Sequence, residues 1–261
     1  MELEFINYTY KDKILNFNIN KSTITGVTGT SKDELLKIIA LKKQNKGQVI
    51  IDNIKINKDD ILDYQKKISY IDKTLITNKN TVLELMVDYI KRHNLMIKDP
   101  MKKIKDSLKI VDMSENILAR RIYTLSESEK KIVQLAIALL SNPKVIIANE
   151  PFKCLDKYNE KKFIMLIQRL KEQYDKTIII GTDDSNKLYK YTTNMIFLKN
   201  DEIFLTGKTN DVYLRVDYLK RNKFEIPDIV EFTYIARKKK EVKIDYHKDV
   251  RDIIKDIYKH I

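Results

Sequence analysis

The sequence predicts an α/β fold whose core is a mixed β-sheet, with an antiparallel β part at the N-terminus, an inserted helical subdomain and a C-terminal helical extension. The apolar runs at 145–148 (VIIA) and 178–180 (III) do not alternate with polar residues, which is typical of strands buried on both faces of a sheet covered by helices. Residues 2–27 contain short strand patterns separated by turns. Residues 81–113 carry apolar side chains three and four positions apart, as amphipathic helices do.

Length and composition are those of a folded chain. With 261 residues, of which 43% are hydrophobic, the protein can bury a substantial core, as one large domain or as one domain with a small appendage. Lys and Arg number 50 and Asp and Glu 37, which gives a net charge of +13. The lysines are scattered along the whole chain and form no single basic stripe, so we expect no nucleic-acid partner.

The cysteine content and the hydropathy pattern bear on the compartment. The single cysteine, Cys154, excludes an internal disulfide and fits a reducing environment. No apolar run has the length of a membrane-spanning helix, and the N-terminus has neither a basic start nor a long apolar stretch. We therefore expect a cytoplasmic protein whose contact with a membrane goes through a partner.

A glycine-containing loop at 26–34 (GVTGTSKDE) lies between a predicted strand and a predicted helix. This is the setting of a phosphate-binding loop with the pattern G-x-x-x-x-G-K-[ST], in which backbone N–H groups and a lysine neutralise phosphate. Gly26 and Lys32 keep their places, whereas Ser31 replaces the second glycine and Asp33 the hydroxyl residue. The residues that we predict to bind nucleotide here are Gly26, Val27, Thr28, Gly29, Thr30, Ser31, Lys32, Asp33 and Glu34.

The acidic residues of this loop allow two interpretations. Asp33 and Glu34 bring negative charge to a helix N-terminus, where they favour the helix and oppose a polyphosphate. We therefore hypothesise that the loop is partly occupied by its own acidic residues. Alternatively, Asp33 is a direct ligand of Mg²⁺, because carboxylate oxygen suits that ion, and nucleotide binding is then weak but retained.

Downstream, the sequence LSESE at 125–129 precedes a predicted helix and the strand sequence VIIANEP at 145–151. Ser126 and Glu129 form a capping-box pattern, which by itself predicts only a helix start. The order of these elements resembles the LSGGQ signature, helix and Walker B strand of ABC-type ATPases, and within them the ATPase subunits of energy-coupling factor transporters. The resemblance implies a P-loop NTPase fold of the ABC type. It places the ATPase domain at 1–212, with its helical subdomain at about 78–130, and a C-terminal helical extension at 213–261.

The resemblance also assigns roles near the phosphate loop. Glu150 takes the place of the catalytic residue that activates water, and Ser126 that of the signature serine that contacts nucleotide. Asn149 replaces the Walker B aspartate, so that with Asp33 it is a candidate Mg²⁺ ligand. Asp183 stands where the family has a histidine that holds the γ-phosphate, which exchanges a cation for an anion.

Two further assignments compete with structural alternatives. Tyr10 is at the position of a ring that stacks on adenine, while its place in a strand is equally explained by cross-strand packing. Lys73 stands at or beside the position that the Q-loop glutamine has in the family. The competing interpretation is an exposed lysine on a loop.

The resemblance implies an ATP-binding subunit of a transporter at the inner face of the cell membrane. Its expected cofactors are ATP and Mg²⁺, and its expected partners are a second ABC ATPase subunit and an integral membrane subunit. Because the phosphate-facing residues depart from the family pattern, we expect weak or absent hydrolysis. The alternative is a pseudo-ATPase with a structural or regulatory role.

Overall fold

The computed structural model describes residues 1–43, 46–75, 77–240 and 244–259. Its ten strands among these residues are β1 (Leu3–Tyr10), β2 (Lys13–Ile19), β3 (Ile24–Gly29), β4 (Gln48–Ile51), β5 (Ile54–Lys55), β6 (Ile68–Ile71), β7 (Val145–Asn149), β8 (Thr177–Gly181), β9 (Asn194–Lys199) and β10 (Glu202–Lys208). They form a four-stranded sheet of order β2-β1-β4-β5 and a six-stranded sheet of order β10-β9-β3-β8-β7-β6.

The two sheets differ in the direction of their strands. All pairs of the four-stranded sheet are antiparallel. In the six-stranded sheet β9, β3, β8, β7 and β6 are parallel, and only β10 runs antiparallel to its neighbour β9. The predicted mixed sheet with an N-terminal antiparallel part is thus confirmed.

The described residues also form eleven α-helices. They are α1 (Lys32–Ile39), α2 (Ile61–Gln65), α3 (Val82–Arg92), α4 (Pro100–Ile110), α5 (Glu127–Leu139), α6 (Lys157–Tyr174), α7 (Ser185–Tyr191), α8 (Thr209–Tyr213), α9 (Val216–Arg221), α10 (Asp228–Lys240) and α11 (Val250–Lys259). Within the described ranges, each helix is either too short or too polar to cross a lipid bilayer.

Local sequence explains where several helices begin. The Thr81 hydroxyl accepts the N–H of Glu84 at the start of α3, and the Asp99 carboxylate accepts the N–H of Lys102 at the start of α4. Side-chain caps of this kind satisfy N–H groups that have no partner inside the helix. The predicted helical subdomain consists of α3, α4 and the turns that lead to α5; its extent as a separate domain stays a prediction.

The apolar run of β7 is explained by cores on both faces of the six-stranded sheet. Val145 and Ile147 belong to one core, which contains the antiparallel sheet and α1. Ile146 and Ala148 point the other way, into a core shared with α3 to α6. Since alternate residues of a strand face opposite sides, a strand covered twice needs apolar residues at every position.

A third core joins the C-terminal helices to the sheet. Its members include Tyr189 of α7, Phe197 of β9, Tyr213 of α8, Leu219 of α9 and Val230 of α10. The helices from α8 to α10 therefore share one core with α7 and with β9 of the six-stranded sheet. A boundary at residue 213 stays a prediction.

Candidate functional site

The site lies at the carboxyl ends of three neighbouring parallel strands. The register places Val27 of β3 opposite Gly181 of β8, and Gly181 opposite Asn149 of β7. The segments that follow these strands therefore meet at one edge of the sheet, which is where open α/β sheets bind ligands. A cleft of about 460 Å³ opens there, lined among others by Thr28, Lys32 and Asp183.

Lys32 is the central cation of the site. As the first residue of α1 it lies beneath the cleft, and its side chain is only 10% exposed. Its Nζ is 2.9 Å from Oε1 of Glu150 and also donates a hydrogen bond to Oδ2 of Asp183. Burial by itself disfavours the ammonium, but the two carboxylates outweigh it and raise the pKa of Lys32.

Asp183, which follows β8, places its carboxylate against the phosphate loop. Its Oδ1 accepts the Thr28 hydroxyl at 3.0 Å and the backbone N–H of Gly29 at 3.2 Å, while Oδ2 accepts Lys32. Burial opposes ionisation, yet the Lys32 ammonium and the Gly29 N–H prevail and lower the pKa of Asp183. An N–H group, a hydroxyl and a lysine are the donors that such a loop offers to a phosphate. The carboxylate of Asp183 therefore takes the place of an anionic ligand.

The backbone of the loop differs from the expected one. We predicted a loop from Gly26 onward, whereas β3 continues to Gly29 because it pairs with β9 up to Leu198. Gly29 has φ +113°, and a Cβ there would lie 2.0 Å from the carbonyl oxygen of Leu198. Only glycine is compatible with this close approach. Thr30 and Ser31 alone connect the strand to α1.

Glu150 follows β7 in a left-handed conformation, with φ +47°. Its Oε1 contacts Lys32, and its Oε2 accepts the Thr182 hydroxyl at 2.9 Å. The backbone N–H of Glu150 donates to the carbonyl of Gly181 at 2.7 Å, which ties the two loops together. The predicted catalytic carboxylate is therefore at the site, with both oxygens engaged by the protein itself.

Asp33, Lys73 and Asn149 form a second cluster beside Lys32. Oδ2 of Asp33 is 2.5 Å from Nζ of Lys73, and Oδ1 accepts Nδ2 of Asn149 at 3.1 Å. Burial disfavours the carboxylate, but these two donors lower the pKa of Asp33. Lys73 lies on the loop after β6 with a side chain that is 40% exposed, as the alternative interpretation expected, but it also pairs with Asp33. Its role in nucleotide binding stays a prediction.

Tyr70 of β6 completes this cluster, and no sequence motif pointed to it. Its hydroxyl accepts Nδ2 of Asn149 at 3.2 Å. Burial raises the pKa of Tyr70 to about 12, so the phenol stays neutral. Asn149 is itself 2% exposed and turns its amide nitrogen toward both acceptors.

The two residues that we predicted as Mg²⁺ ligands, Asp33 and Asn149, are engaged by other groups of the protein. Mg²⁺ requires octahedral oxygen coordination, but Asp33 already binds an ammonium and Asn149 presents an N–H₂ group to it. Oδ1 of Asn149 is buried without a hydrogen-bond partner among the described residues, and it is a single oxygen. Within the same residues, His, Cys, Asp and Glu side chains nowhere gather in threes to hold a metal. Mg²⁺ binding by Asp33 and Asn149 stays a prediction, which their present contacts disfavour.

Glu34 and Tyr10 make their contacts outside the cleft. The Glu34 carboxylate, in the first turn of α1, binds Lys37 at 3.0 Å and also Lys43, and its effect on a phosphate stays a prediction. Tyr10 is 7% exposed and belongs to the core of the antiparallel sheet. Its surroundings favour cross-strand packing, and adenine stacking stays a prediction.

Comparison with known proteins gives the family. The family model described as ABC transporter matches residues 13–153. The chain belongs to the ABC transporter family. An uncharacterised ABC transporter ATP-binding protein of Methanocaldococcus jannaschii is 30% identical over 208 residues, which cover 74% of this chain and 87% of the relative.

An energy-coupling factor transporter ATP-binding protein of Mycoplasmopsis synoviae is also 30% identical, over 72% of this chain and 71% of its own length. Among solved structures, a dimeric ATP-binding cassette in a post-hydrolysis state with bound ADP and Pi superposes with a TM-score of 0.67. It is 26% identical and matches 79% of this chain and 98% of its own. The fold is therefore that of an ABC ATPase cassette, as the sequence predicted.

In this ABC cassette the signature segment lies at the start of α5, apart from the chain's own phosphate loop. The Ser126 hydroxyl accepts the N–H of Glu129 at 3.1 Å, and the Glu129 carboxylate accepts the N–H of Ser126 at 2.8 Å, so the predicted capping box is confirmed. Arg120 binds Glu129 in addition, and Lys130 binds Glu127 at 2.7 Å. Nucleotide contact by Ser126 stays a prediction.

Residues that the sequence analysis missed line the far wall of the cleft. Asn222 and Lys223, at the end of α9, and Lys199 of β9 border the same space as Asp183. Nζ of Lys199 donates to Oδ1 of Asn222 at 2.7 Å. No local sequence pattern predicts them, because the packing of the C-terminal helices on β9 brings them to this cleft.

Proposed function

We propose that this ABC protein is the ATP-binding subunit of a membrane transporter of the energy-coupling factor kind, with impaired or absent hydrolysis of its own. It acts with a second ABC ATPase subunit and an integral membrane subunit at the inner face of the membrane. The observation that carries the proposal is the double contact of Lys32 with Glu150 and Asp183. The similarity to an energy-coupling factor ATP-binding protein supports the transport assignment.

The existing contacts of the phosphate loop impair both nucleotide binding and hydrolysis. To reach Lys32 and the Gly29 N–H, a phosphate group must displace the Asp183 carboxylate from its hydrogen bonds. A general base must also be available to accept the proton of the attacking water. Glu150 instead binds an ammonium and a hydroxyl. Binding and hydrolysis are therefore both weakened, and the second more than the first.

The same contacts favour one alternative, a pseudo-ATPase that binds no nucleotide and serves as a structural or regulatory partner. In that case Asp183 is the permanent occupant of the loop and Lys32 has a purely structural role. The two candidates differ in whether ATP can displace the carboxylate. They agree on the fold and on the need for protein partners.

Calorimetric titration of the full chain with ATP separates the candidates, performed with Mg²⁺ and again with EDTA. We expect weak binding by the wild type and binding about tenfold tighter by Asp183→Asn, a gain of about 1.4 kcal/mol. Asp106→Asn, on the exposed face of α4, is the control for loss of one negative charge. No binding by wild type or Asp183→Asn in either buffer supports the pseudo-ATPase, whereas rapid turnover by the wild type contradicts both candidates.

The transport assignment has a test of its own. We expect the tagged protein to copurify from solubilised membranes of its source with an integral membrane protein and a second ABC ATPase. Recovery of the second ATPase without any membrane subunit would contradict a role in transport.

A further inference from the structure

The Lys73 ammonium binds the carboxylate of Asp33, the side chain that we predicted as a metal ligand. The ammonium of Lys73 is 2.5 Å from Oδ2 of Asp33, and the amide nitrogen of Asn149 is 3.1 Å from Oδ1. Both carboxylate oxygens therefore face donors that the protein supplies. Electrostatics determine the orientation of the Asn149 amide. Exchanging the positions of Nδ2 and Oδ1 would place Oδ1 against the Asp33 carboxylate.

The backbone of Lys73 is held in place from α5. Nζ of Lys131 donates to the carbonyl of Lys73 at 2.5 Å and to that of Asp72 at 3.3 Å. Nε2 of Gln134 also donates to the carbonyl of Asp72 at 3.3 Å. Lys131 and Gln134 are both buried. Lys73 thus projects from an anchored segment, and its side chain is 40% exposed.

The charges of this cluster do not favour a dication. Asp33 and Lys73 cancel each other, Asn149 is neutral, and the Tyr70 phenol is protonated. The next cation, Lys32, is adjacent to Asp33 in the chain. A divalent ion that binds Asp33 would meet the Lys73 ammonium at close range, where like charges repel by several kcal/mol at an effective dielectric constant of about 20. A polyphosphate that has displaced Asp183 from Lys32 would meet both ammonium groups, with Asp33 and Glu150 still beside them.

We propose that the Lys73 ammonium serves as a built-in cation in place of a divalent metal, so that the nucleotide taken by this site is the metal-free polyphosphate. The inference rests on the proposed nucleotide binding. Its consequence is a reversed magnesium dependence. Excess Mg²⁺ converts free ATP into its magnesium complex and so removes the form that binds.

ATP titrations by calorimetry, in EDTA and in excess Mg²⁺, test this ligand preference. We expect the wild type and Lys73→Arg to bind at least as tightly in EDTA as in Mg²⁺. Lys73→Gln should bind about tenfold more tightly in Mg²⁺ than in EDTA, because Asp33 is then available to the metal complex. Lys109→Gln, which removes a positive charge from the exposed face of α4, should keep the wild-type ratio. Wild-type binding that requires Mg²⁺, or an unchanged ratio in Lys73→Gln, would overturn the inference while leaving the proposed function standing.

A second measurement needs no nucleotide. Mn²⁺, titrated into the full chain and followed by electron paramagnetic resonance, reports metal binding directly. We expect no uptake by the wild type and uptake by Lys73→Gln that is lost again in Asp33→Ser/Lys73→Gln. Uptake by the wild type that Asp33→Ser abolishes would show that the lysine does not exclude the metal. If no variant binds ATP, the proposed function fails and this measurement alone decides the role of Lys73.

Discussion

Nζ of Lys32 lies 2.9 Å from Oε1 of Glu150. The cation that should meet a phosphate and the carboxylate that should activate water are thus bonded to each other. Asp183 closes the arrangement from the opposite loop by binding the same ammonium. These contacts hold the side chains of the site in place, and each leads to a measurable prediction.

The contribution of Asp183 to stability should disappear in acid. Its folded-state pKa lies below the ordinary aspartate value of 3.8, so its stabilising effect is complete above that value and is lost as the pH falls through the folded-state pKa. We expect wild type to exceed Asp183→Asn in unfolding free energy by a constant amount between about pH 5 and pH 7, and by less below pH 3.8.

The side chain of Asp183 is 61% exposed, so screening by solvent keeps this difference below about 1 kcal/mol. Urea unfolding across the pH range measures it. A difference that grows toward low pH would mean that Asp183 is not held as a carboxylate by Lys32.

Gly29→Ala should be strongly destabilising. Its φ of +113° disfavours any side chain, and the added Cβ would lie 2.0 Å from the Leu198 carbonyl oxygen. We expect the free energy of unfolding, measured in urea, to fall by about 3 kcal/mol or more. Backbone strain at this φ contributes, and so does the forced displacement of β3 from β9.

Gly207→Ala is the matched comparison for Gly29. Gly207 also has a positive φ, of +156°, but the nearest atom to an added Cβ is Cγ2 of Val212 at 3.8 Å. Gly207→Ala should therefore lower the free energy of unfolding clearly less than Gly29→Ala does. Equal losses would show that the close approach of Gly29 to β9 contributes nothing.

Ser126→Ala should lower the stability of the protein by about 1 kcal/mol, the usual cost of losing an N-cap. Ser126→Asp should retain most of it, because a carboxylate can accept the same N–H of Glu129. Thermal or urea unfolding measures both, with Ser128→Ala in the first turn of α5 as the control. If Ser126→Ala left the free energy of unfolding unchanged, the Ser126 cap would not contribute to stability.

Asn149→Asp as a single substitution should lower the stability of the protein, although it restores the aspartate of the Walker B motif. Asn149 is 2% exposed, and its amide nitrogen is 3.1 Å from Oδ1 of Asp33. The change would place two carboxylates in a partly buried contact, at a cost of about 1–3 kcal/mol. Asp33→Ser/Asn149→Asp should recover much of this loss.

A double-mutant cycle of urea unfolding free energies measures this coupling. Additive effects of Asp33→Ser and Asn149→Asp would show that the two side chains do not interact. The cycle also explains why restoring one family residue at a time is expected to fail in this chain.

The sequence alone determined the elements whose signals are local. The uninterrupted apolar residues of β7 and β8 required a sheet covered on both faces, and Ser126 with Glu129 specified the start of α5. The phosphate loop was also recognisable, because Gly26 and Lys32 are placed by a strand, a turn and a helix in direct succession. Each of these signals depends on neighbours within a few residues along the chain.

The tertiary structure alone decided which charges meet. We expected Asp33 and Glu34 to occupy the phosphate loop, but Glu34 turns to Lys43, and Asp183 enters the loop from 151 residues away in sequence from Lys32. Lys73 likewise reaches Asp33 across 40 positions. These contacts depend on the order β3-β8-β7-β6 in the sheet, which brings the ends of distant segments together and which no local pattern encodes.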